Sequence, residues 1–255
     1  MELKNFIAGS DIYDVYESDG LAIRVYKKPE YKEKCLYAAL THARVETTLV
    51  NSAIKMPVLH EVTVIDGKWA ISMDWIKGKT LEQLMNENPD KMDTYLNQFI
   101  DIQTEIHAQY MPLLSKLKDK MARQIKSLGQ IDEIKKYELL TRLDSMPKHI
   151  KLCHNSFEPK NIIINDEGTY VINWGSARQG NASADVAKTY LLLSLNRPEI
   201  ADKYLDRYCM KSGTSKKYVQ AWLPIVAAAQ LDKGIESEKE FLLKWIDRKS
   251  TRLNS

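Results

Sequence analysis

One segment, residues 152–185, constrains the fold more than any other part of the chain. It contains two short β-branched runs separated by four turn-forming residues, with the runs at 162–164 and 170–172 and the turn at 165–168. Gly168 can adopt the left-handed backbone conformation that tight turns require. The pattern therefore predicts a β-hairpin.

Polar residues gather at the open end of the predicted hairpin. They precede the first strand or follow the second: His154, Asn155, Ser156, Asn161 and Asn173. In an antiparallel pair the start of one strand lies beside the end of the next, so Asn161 and Asn173 are expected to lie close together. A rigid hairpin that holds clustered polar groups at one end is a suitable framework for a functional site.

The spacing of these residues resembles the catalytic segment of the aminoglycoside phosphotransferase and choline kinase family, whose members have a protein kinase-like fold. That segment reads H-G-D or H-N-D, then F/L-x-P-x-N, a hairpin and I-D-W. The chain matches it at six positions: His154, Phe157, Pro159, Asn161, Trp174 and Asp185. The resemblance implies catalytic roles for His154 and Asn161, magnesium binding by Asn161, and support of the catalytic loop by Asp185.

Three positions depart from the family pattern. Ser156 stands where the resemblance places the catalytic Asp, Asn173 where it places the metal-bridging Asp, and Arg24 where it places the phosphate-pairing Lys. Serine carries no charge at neutral pH, and loss of a general base typically lowers a rate about 10²–10⁴-fold. The Asn173 amide offers magnesium an oxygen without the negative charge that hard cations favour. An arginine fork is longer and differently shaped from a lysine ammonium.

The first 76 residues predict an antiparallel sheet with one helix. A hairpin bends near Gly9 and leads, through a second turn, into a strand at residues 21–26. The resemblance makes the bend at Gly9 the loop that covers nucleotide phosphates. An ordinary surface hairpin is equally compatible with a single glycine.

A helical pattern follows between residues 31 and 52. Its recurring positions, at steps of three and four, are Leu36, Leu40, Ala43, Thr47 and Val50. Glu46 on this helix matches the family glutamate that pairs with the lysine replaced here by Arg24. A solvent-facing glutamate is the alternative interpretation.

Two further strands are predicted at residues 60–65 and 68–75, joined by an Asp-Gly turn at 66–67. The second strand leads into residues 73–78, which match the family's interlobe hinge, and Met73, Asp74 and Trp75 are the candidate nucleotide-binding residues. The resemblance implies that backbone groups there hold the adenine ring of ATP.

Helical periodicity dominates beyond residue 76, where Thr80 is a suitable N-cap. An apolar stripe predicts core packing at Met92, Tyr95, Phe99, Ile102 and Ile106. Helices are also predicted at 184–195, 199–210, 216–231 and 236–246. The predicted fold class is α+β, a protein kinase-like two-lobed fold. Its N-lobe is a small antiparallel sheet at residues 1–76, and its mainly helical C-lobe spans 77–246 and contains the catalytic-loop hairpin at 152–174.

Composition narrows the function classes. A net charge of +3, with a pI near 8.5, is too small to favour nucleic acid as a partner. It also does not favour a polycationic substrate such as an aminoglycoside, which requires an acidic cleft. The densest basic stretch is interpreted as a solvated helix face rather than a phosphate-binding patch: Lys116, Lys118, Lys120, Arg123 and Lys126. No apolar run predicts a membrane span and no secretory signal is visible. Three separated cysteines, Cys35, Cys153 and Cys209, fit a reducing cytoplasm.

The last nine residues, 247–255, differ in character from the rest of the chain. They correspond to the translation of a common sequencing-adapter read. We expect this tail to be non-native and leave it out of the fold prediction.

The resemblance implies ATP-dependent phosphoryl transfer to a hydroxyl group of a small molecule, with ATP and Mg²⁺ as cofactors. The three departures, at Arg24, Ser156 and Asn173, predict that transfer is impaired or absent, which makes the chain a pseudokinase. Two alternatives stay open. One is an active small-molecule kinase with a rearranged site, and the other is a structural or partner-binding protein that binds no nucleotide.

Overall fold

The computed structural model describes residues 2–50 and 52–247. Its strands and helices follow one another in this order: β1 (Asn5–Gly9), β2 (Tyr13–Ser18), β3 (Leu21–Tyr26), α1 (Lys32–Leu49), β4 (Leu59–Ile65), β5 (Lys68–Asp74), β6 (Lys79–Thr80), α2 (Leu81–Glu87), α3 (Met92–Ala108), α4 (Leu117–Ser127), α5 (Glu133–Ser145), β7 (Lys151–Cys153), β8 (Ile162–Asn165), β9 (Gly168–Val171), β10 (Arg178–Gly180), α6 (Ala182–Asn196), α7 (Pro198–Ser212), α8 (Lys216–Leu231) and α9 (Glu236–Ile246). Residues 248–255, most of the suspected tail, lie outside the described residues.

The first five strands form one antiparallel sheet in the order β1-β2-β3-β5-β4. Two tight turns set its register. Asp19 and Gly20 have φ of 53° and 81°, and Asp66 and Gly67 have φ of 49° and 73°. Positive φ at both central residues is typical of the hairpin turn whose twist matches that of the flanking strands. The predicted N-terminal sheet is confirmed, including the hairpin at Asp66-Gly67.

Helix α1 packs on this sheet through small side chains. Cys35, Ala38 and Ala39 are buried against Tyr26 and Ile71 of the sheet. The helix itself is confirmed, but its buried face is not the recurring set read from the sequence. Leu36, Leu40 and Val50 of that set are exposed. Small residues at 35, 38 and 39 let the helix approach the sheet closely, and among its larger apolar side chains Val45 and Leu49 are buried while Leu36 and Leu40 are exposed.

A second sheet, in the order β6-β8-β9, contains the predicted hairpin. Ile162 pairs with Val171 and Asn165 with Gly168, so the two-residue turn is 166–167. The preceding Gly78 has φ of 155°, and a Cβ there would lie 2.7 Å from the carbonyl oxygen of Ile164. Only glycine allows the chain to approach β8 this closely.

Contacts divide the chain into two compact units. The first comprises residues up to Tyr95 together with 159–177, and the second comprises 96–158 together with the chain from Arg178 onward. The β8–β9 hairpin therefore groups with the N-terminal sheet, although helices precede and follow it in sequence.

The second unit is mainly helical. Helix α8 is buried along nearly all of its length from Val219 to Leu231. Aromatic rings pack around Phe99 of α3. The Phe99 ring stacks on Phe157 with ring centroids 4.5 Å apart, and its centroid lies 5.7 Å from that of Tyr204. The predicted stripe is buried at its Phe99, Ile102 and Ile106 positions. The predicted α+β class, with an antiparallel N-terminal sheet and a mainly helical remainder, is confirmed. None of the helices in residues 2–50 and 52–247 combines the length and apolar character needed to cross a bilayer.

Candidate functional site

The Asp185 carboxylate, near the start of α6, organises the loop after β7. Its Oδ2 accepts hydrogen bonds from the backbone N–H of His154 and from Nε2 of His107, both at 3.0 Å. Its Oδ1 accepts from the backbone N–H of Asn155 at 2.7 Å. Asp185 is 1% exposed, so all three bonds are shielded from water.

This environment keeps Asp185 ionised. Burial acts to raise the pKa of the carboxyl group, but the hydrogen bond from His107, the charges of His107 and His154, and the N–H of Asn155 outweigh it. The pKa of Asp185 is therefore lowered. A hydrogen bond of 2.9 Å between Nδ1 of His107 and the Tyr208 hydroxyl orients the imidazole toward the carboxylate. The structure places Asp185 under the loop, as its expected supporting role requires.

The loop that Asp185 holds carries Ser156. Asn155 adopts a positive φ of 63°, and the chain then passes through half-buried Ser156 to fully buried Phe157. His154 is also fully buried, and its ring meets Phe157 edge-on at 5.9 Å. The loop is thus well anchored. Ser156 contributes an uncharged hydroxyl group, which does not accept a proton as a carboxylate does.

The open end of the hairpin brings the neighbourhoods of Asn161 and Asn173 together. The backbone N–H of Ile172 donates to the carbonyl oxygen of Asn161 at 2.9 Å, which extends the strand pairing by one step. Asn161 is buried, and Asn173 follows Ile172 with a left-handed backbone, φ 68° and ψ 41°. The predicted adjacency of the two strand ends is confirmed.

Arg24 on β3 reaches the same place from the sheet. Its Nη2 donates to Oδ1 of Asn173 at 3.1 Å, and its guanidinium lies 4.4 Å from the centroid of the Tyr13 ring. A cavity of about 10 Å³, with room for about one water molecule, is bounded by Arg24, Asn173 and Gly175. A Cβ on Gly175 would lie 2.9 Å from Cβ of Ala38, so the turn at 174–176 needs glycine to sit against α1.

Arg24 forms no ion pair with Glu46 within the described parts of the chain. Instead, Oε2 of Glu46 accepts from the backbone N–H of Leu59 at 3.4 Å. The buried His42 is subject to the charges of both side chains and donates from Nε2 to the carbonyl oxygen of Pro57. Burial lowers the pKa of His42, so this imidazole does not add a cation beside Arg24 at neutral pH.

The residues expected to hold magnesium do not fit a divalent cation. Asn161 and Asn173 supply two neutral amides and no carboxylate, and the Asn173 oxygen already accepts a hydrogen bond from a guanidinium. Across residues 2–50 and 52–247, no three His, Cys, Asp or Glu side chains cluster in a way that could hold a metal ion. Hard cations favour charged oxygen ligands, and this site offers a positive charge instead.

The expected hinge residues have defined partners. Met73 pairs with Ala22 within the sheet. The Asp74 carboxylate accepts from the backbone N–H of Val58 at 2.9 Å and from Nε2 of His60 at 2.7 Å.

Strand β5 ends at Asp74, and the backbone beyond it forms fewer hydrogen bonds. The N–H of Trp75 donates to the carbonyl oxygen of Gly20 at 3.1 Å. The following Ile76 forms no backbone hydrogen bond with any described residue. Ile76, which lies in the segment that matches the family hinge, therefore has peptide groups with no backbone partner among the described residues.

The loop at Gly9 is a short connection between β1 and β2. The Ser10 hydroxyl accepts from the backbone N–H groups of Ile12 and Tyr13, which closes the loop on itself. Gly9 is exposed and pairs with Asp14 across the hairpin. The geometry suits a flap over a ligand and an ordinary hairpin equally well.

A family comparison decides the relationship. The model of the phosphotransferase enzyme family, APH, matches residues 43–222. The chain belongs to this family. The match includes the loop at Ser156, the hairpin and Asp185, but not Arg24. No curated protein sequence matches the chain.

Solved structures share the family's kinase-like fold with this chain at low sequence identity. Choline kinase LicA from Streptococcus pneumoniae is 14% identical, with 97% of this chain and 91% of that chain covered and a TM-score of 0.63. Aminoglycoside phosphotransferase APH(2'')-Ib, ADP-bound, is 18% identical over 96% and 92%, with a TM-score of 0.61. Amicoumacin kinase hAmiN, in complex with AMP-PNP, Ca²⁺ and Ami, is 9% identical over 94% and 86%, with a TM-score of 0.63.

Proposed function

We propose that this chain is a nucleotide-binding member of the phosphotransferase enzyme family in which phosphoryl transfer is impaired or absent. The observation that carries this proposal is the hydrogen bond from Arg24 to Oδ1 of Asn173. In the family pattern that oxygen belongs to the acid that bridges metal and phosphate. Here it is an amide oxygen bound to a fixed positive charge.

The cost of placing magnesium on this oxygen can be estimated. Magnesium binds oxygen at about 2 Å, so an ion on Oδ1 would lie within about 5 Å of the Arg24 guanidinium. A divalent and a monovalent cation at that distance repel each other by about 2 to 7 kcal/mol, depending on how much water screens them. A carboxylate at position 173 would offset this repulsion, and the amide of Asn173 does not.

The same arginine favours metal-independent nucleotide binding. A guanidinium presents several N–H donors in a plane that matches phosphate oxygens. Arg24 can therefore neutralise part of the phosphate charge that magnesium neutralises in an active kinase. The unbonded peptide groups of Ile76 offer donor and acceptor positions for an adenine ring.

A slow small-molecule kinase is the second candidate. The hydrogen bonds to Asp185 favour it, because two of them anchor the backbone of the loop that leads to Ser156 and the third, from His107, supports the carboxylate. Binding and orientation alone retain part of an enzyme's rate advantage when a general base is lost. A partner-binding protein without nucleotide is the third possibility, and only a complete lack of ATP binding would favour it.

Titration calorimetry with ATP, with and without Mg²⁺, tests the proposal. We expect ATP to bind the wild type with an affinity that changes less than about threefold when magnesium is added. A magnesium-dependent increase of tenfold or more would contradict the pseudokinase assignment and favour the active enzyme. Phosphorylation of any hydroxylated acceptor well above background would do the same.

Restoring the family residues is the complementary experiment. The triple variant Arg24→Lys, Ser156→Asp and Asn173→Asp should bind Mg-ATP more tightly than ATP alone, because two carboxylates supply the charge that the metal lacks. The matched control is Arg207→Lys with Asn97→Asp, an exposed pair joined by a similar 3.0 Å hydrogen bond. A triple variant that gains no magnesium dependence would refute the mapping of these three positions.

A further inference from the structure

A cavity of about 510 Å³ lies in the second unit, outside the candidate site. Its walls are formed by helix α4, helix α5, the segment 147–150 and the end of β10, and all of its lining residues belong to that unit. Binding sites for small molecules typically occupy about 300–1,000 Å³. The cavity is therefore large enough for a metabolite, and no residue of the candidate site lines it.

The β7–β10 pair separates this cavity from the loop that carries Ser156. Lys151 of β7 pairs with Gly180 of β10, and the two strands run antiparallel. Gly180 lines the cavity. The loop with Ser156 follows β7 at its other end, after Cys153. A ligand in the cavity therefore lies at the end of the strand pair remote from Ser156, in a site separate from the one expected to hold a phosphoryl acceptor.

Apolar side chains from both helices and from the segment before β7 line the cavity: Ala122, Leu140, Leu143, Pro147 and Ile150. Ala122 and Leu140 are half-buried, and Pro147 and Ile150 are exposed. Part of this apolar wall is thus in contact with water. A ligand with an apolar body would remove that surface, together with its own, from water, which is favourable.

Positive charge exceeds negative charge around the apolar wall. Four lysines and two aspartates line the cavity: Lys116, Lys118, Lys126, Lys148, Asp119 and Asp144. Within the described residues, the ammonium groups of Lys116, Lys126 and Lys148 form no hydrogen bond or ion pair. The sequence predicts a solvated face for the lysines of α4, and the structure adds that this face borders an apolar cavity. Unpaired cations beside such a wall favour an anionic group on the ligand.

Lys118 supplies a donor in a fixed position. Its Nζ donates to the carbonyl oxygens of Asp144 and Met146, at 3.0 Å and 2.7 Å, at the C-terminal end of α5. An ammonium group has three N–H donors, so one remains for a ligand. Because the two bonds already hold the Lys118 side chain in place, less conformational entropy is lost when a ligand binds to it.

Hydrogen bonds fix two further parts of the wall. Asn181 is 4% exposed, donates from Nδ2 to the Tyr218 hydroxyl at 2.8 Å and accepts at Oδ1 from the backbone N–H of Ser183 at 2.9 Å. The carbonyl oxygen of Ile150 accepts from the backbone N–H of Met111 at 2.8 Å. The cavity is therefore formed in the absence of a ligand, as is usual for small-molecule sites.

We propose that this cavity is a second binding site, for a small molecule that combines an apolar body with one anionic group, a carboxylate or a phosphate. The lysines face the anionic group, and Leu140 and Leu143 contact the apolar body. A polycation or a quaternary amine does not fit, because the lysines repel it. The proposal goes beyond nucleotide binding and phosphoryl transfer and holds whether or not the chain is a kinase.

Calorimetry in low salt near pH 7 tests the site with a matched series of probes, each kept below its micelle-forming concentration. The probes are octanoate, octyl phosphate, 1-octanol, octyltrimethylammonium and acetate. We expect at least one octyl anion to bind about tenfold or more tightly than 1-octanol. The octyl cation and acetate should not bind measurably, because the first is repelled and the second lacks the apolar body. Comparison of octanoate with octyl phosphate identifies the preferred anionic group.

A triple variant tests the charges. It replaces the unpaired lysines of the cavity together: Lys116→Gln, Lys126→Gln and Lys148→Gln. The matched control replaces three exposed basic residues outside the cavity: Lys91→Gln, Arg123→Gln and Lys217→Gln. Both variants lose the same net charge. The first should bind the preferred octyl anion about tenfold more weakly than the wild type, and the control should bind within about twofold, since screened charges act only over short distances.

A second variant tests the apolar wall. Leu140→Trp places an indole where the cavity is now open, and it should weaken binding of the octyl anion about tenfold or more. Ile134→Trp is the matched control, because Ile134 lies on the same helix, is 74% exposed and does not line the cavity. The control should bind with wild-type affinity. Circular dichroism checks that both variants are folded.

Three outcomes would overturn the inference. The first is that 1-octanol or acetate binds as tightly as both octyl anions. The second is wild-type affinity in the triple lysine variant, whose substitutions are all at exposed positions, or in a folded Leu140→Trp variant. The third is loss of octyl anion binding in saturating ATP, which would assign the cavity to the nucleotide. ATP titration without octyl compounds tests the proposed function separately, so the two proposals can fail independently.

Discussion

Replacement of Asp185 by alanine should be among the most destabilising single changes in this chain. The substitution removes the acceptor of three buried hydrogen bonds, from His107 and from the backbone N–H groups of His154 and Asn155. A buried donor left without a partner costs about 1–3 kcal/mol, so three donors set a ceiling of about 9 kcal/mol. Relaxation of the loop and entry of water will lower this, and we expect a loss of about 3–5 kcal/mol, as for other broken buried pairs.

Urea denaturation at pH 7, followed by circular dichroism, measures this loss. Asp206→Ala is the control, because Asp206 is an exposed aspartate with one ion pair, to Lys216. That variant should lose no more than about 1 kcal/mol. If Asp185→Ala lowers the free energy of unfolding by less than about 1 kcal/mol, the carboxylate does not stabilise the loop.

The pH dependence of the same measurement gives a second check. The pKa of Asp185 is lowered in the folded state, so its stabilisation is fully present above the ordinary carboxyl value of 3.8 and is lost as the pH falls through the folded value. The difference in unfolding free energy between the wild type and Asp185→Ala should therefore shrink in acid. A difference that grows as the pH falls would refute the assignment of an ionised carboxylate.

Three further predictions concern stability. Gly78→Ala should cost about 2 kcal/mol or more in urea denaturation, because its Cβ meets the Ile164 carbonyl at a positive φ; a neutral result would contradict this. Thr80→Ala should cost about 1 kcal/mol by the same assay, because the capping box with Gln83 is lost, whereas Thr80→Ser should cost less. The free energy of unfolding of the wild type should rise between pH 7 and 10, because Lys120, whose pKa burial lowers to about 7, binds a proton in the unfolded state that it has released in the folded state. This lysine contributes at most ~1.4 kcal/mol per pH unit to the rise. The Lys120→Met variant should show a smaller dependence of stability on pH.

Local signals in the sequence were sufficient for most of the fold. The Asp66-Gly67 turn and the hairpin turn closed by Gly168 each depend on residues only a few positions apart. The backbone conformations that these residues prefer can therefore be predicted from the sequence. The Thr80 cap is local in the same sense. Helix α1 shows the limit of this reasoning. Its buried face carries Cys35 and Ala38 because the helix lies close to its neighbours, and hydrophobicity alone favoured the opposite face.

The candidate site was predictable in its parts but not in its contacts. The motif identified Arg24 and Asn173 separately, whereas their hydrogen bond joins residues 149 positions apart and depends on how α1 and the turn at 174–176 pack. The basic stretch of α4 was interpreted as a solvated face. Lys116 and Lys126 are exposed, as that interpretation requires, but Lys120 is half-buried and its pKa is lowered by burial and by repulsion from Arg178. Helical periodicity alone does not tell which lysine of a charged helix meets a second element.

The first unit is built from two chain segments that are far apart in sequence, and this affects how the unit forms during synthesis. Thr80 of strand β6 pairs with Ile163 of strand β8, which is synthesised about 80 residues later. The sheet that contains both strands forms only after Ile163 is available. Closing a loop of that length is entropically costly, and contacts of such separation slow folding. A nascent chain that has emerged only to Tyr95 lacks two of the three strands of this sheet, along with the turn at Trp174 that covers α1. The N-terminal unit therefore reaches its complete form only after most of the polypeptide has left the ribosome, and truncation before residue 177 leaves it unfinished.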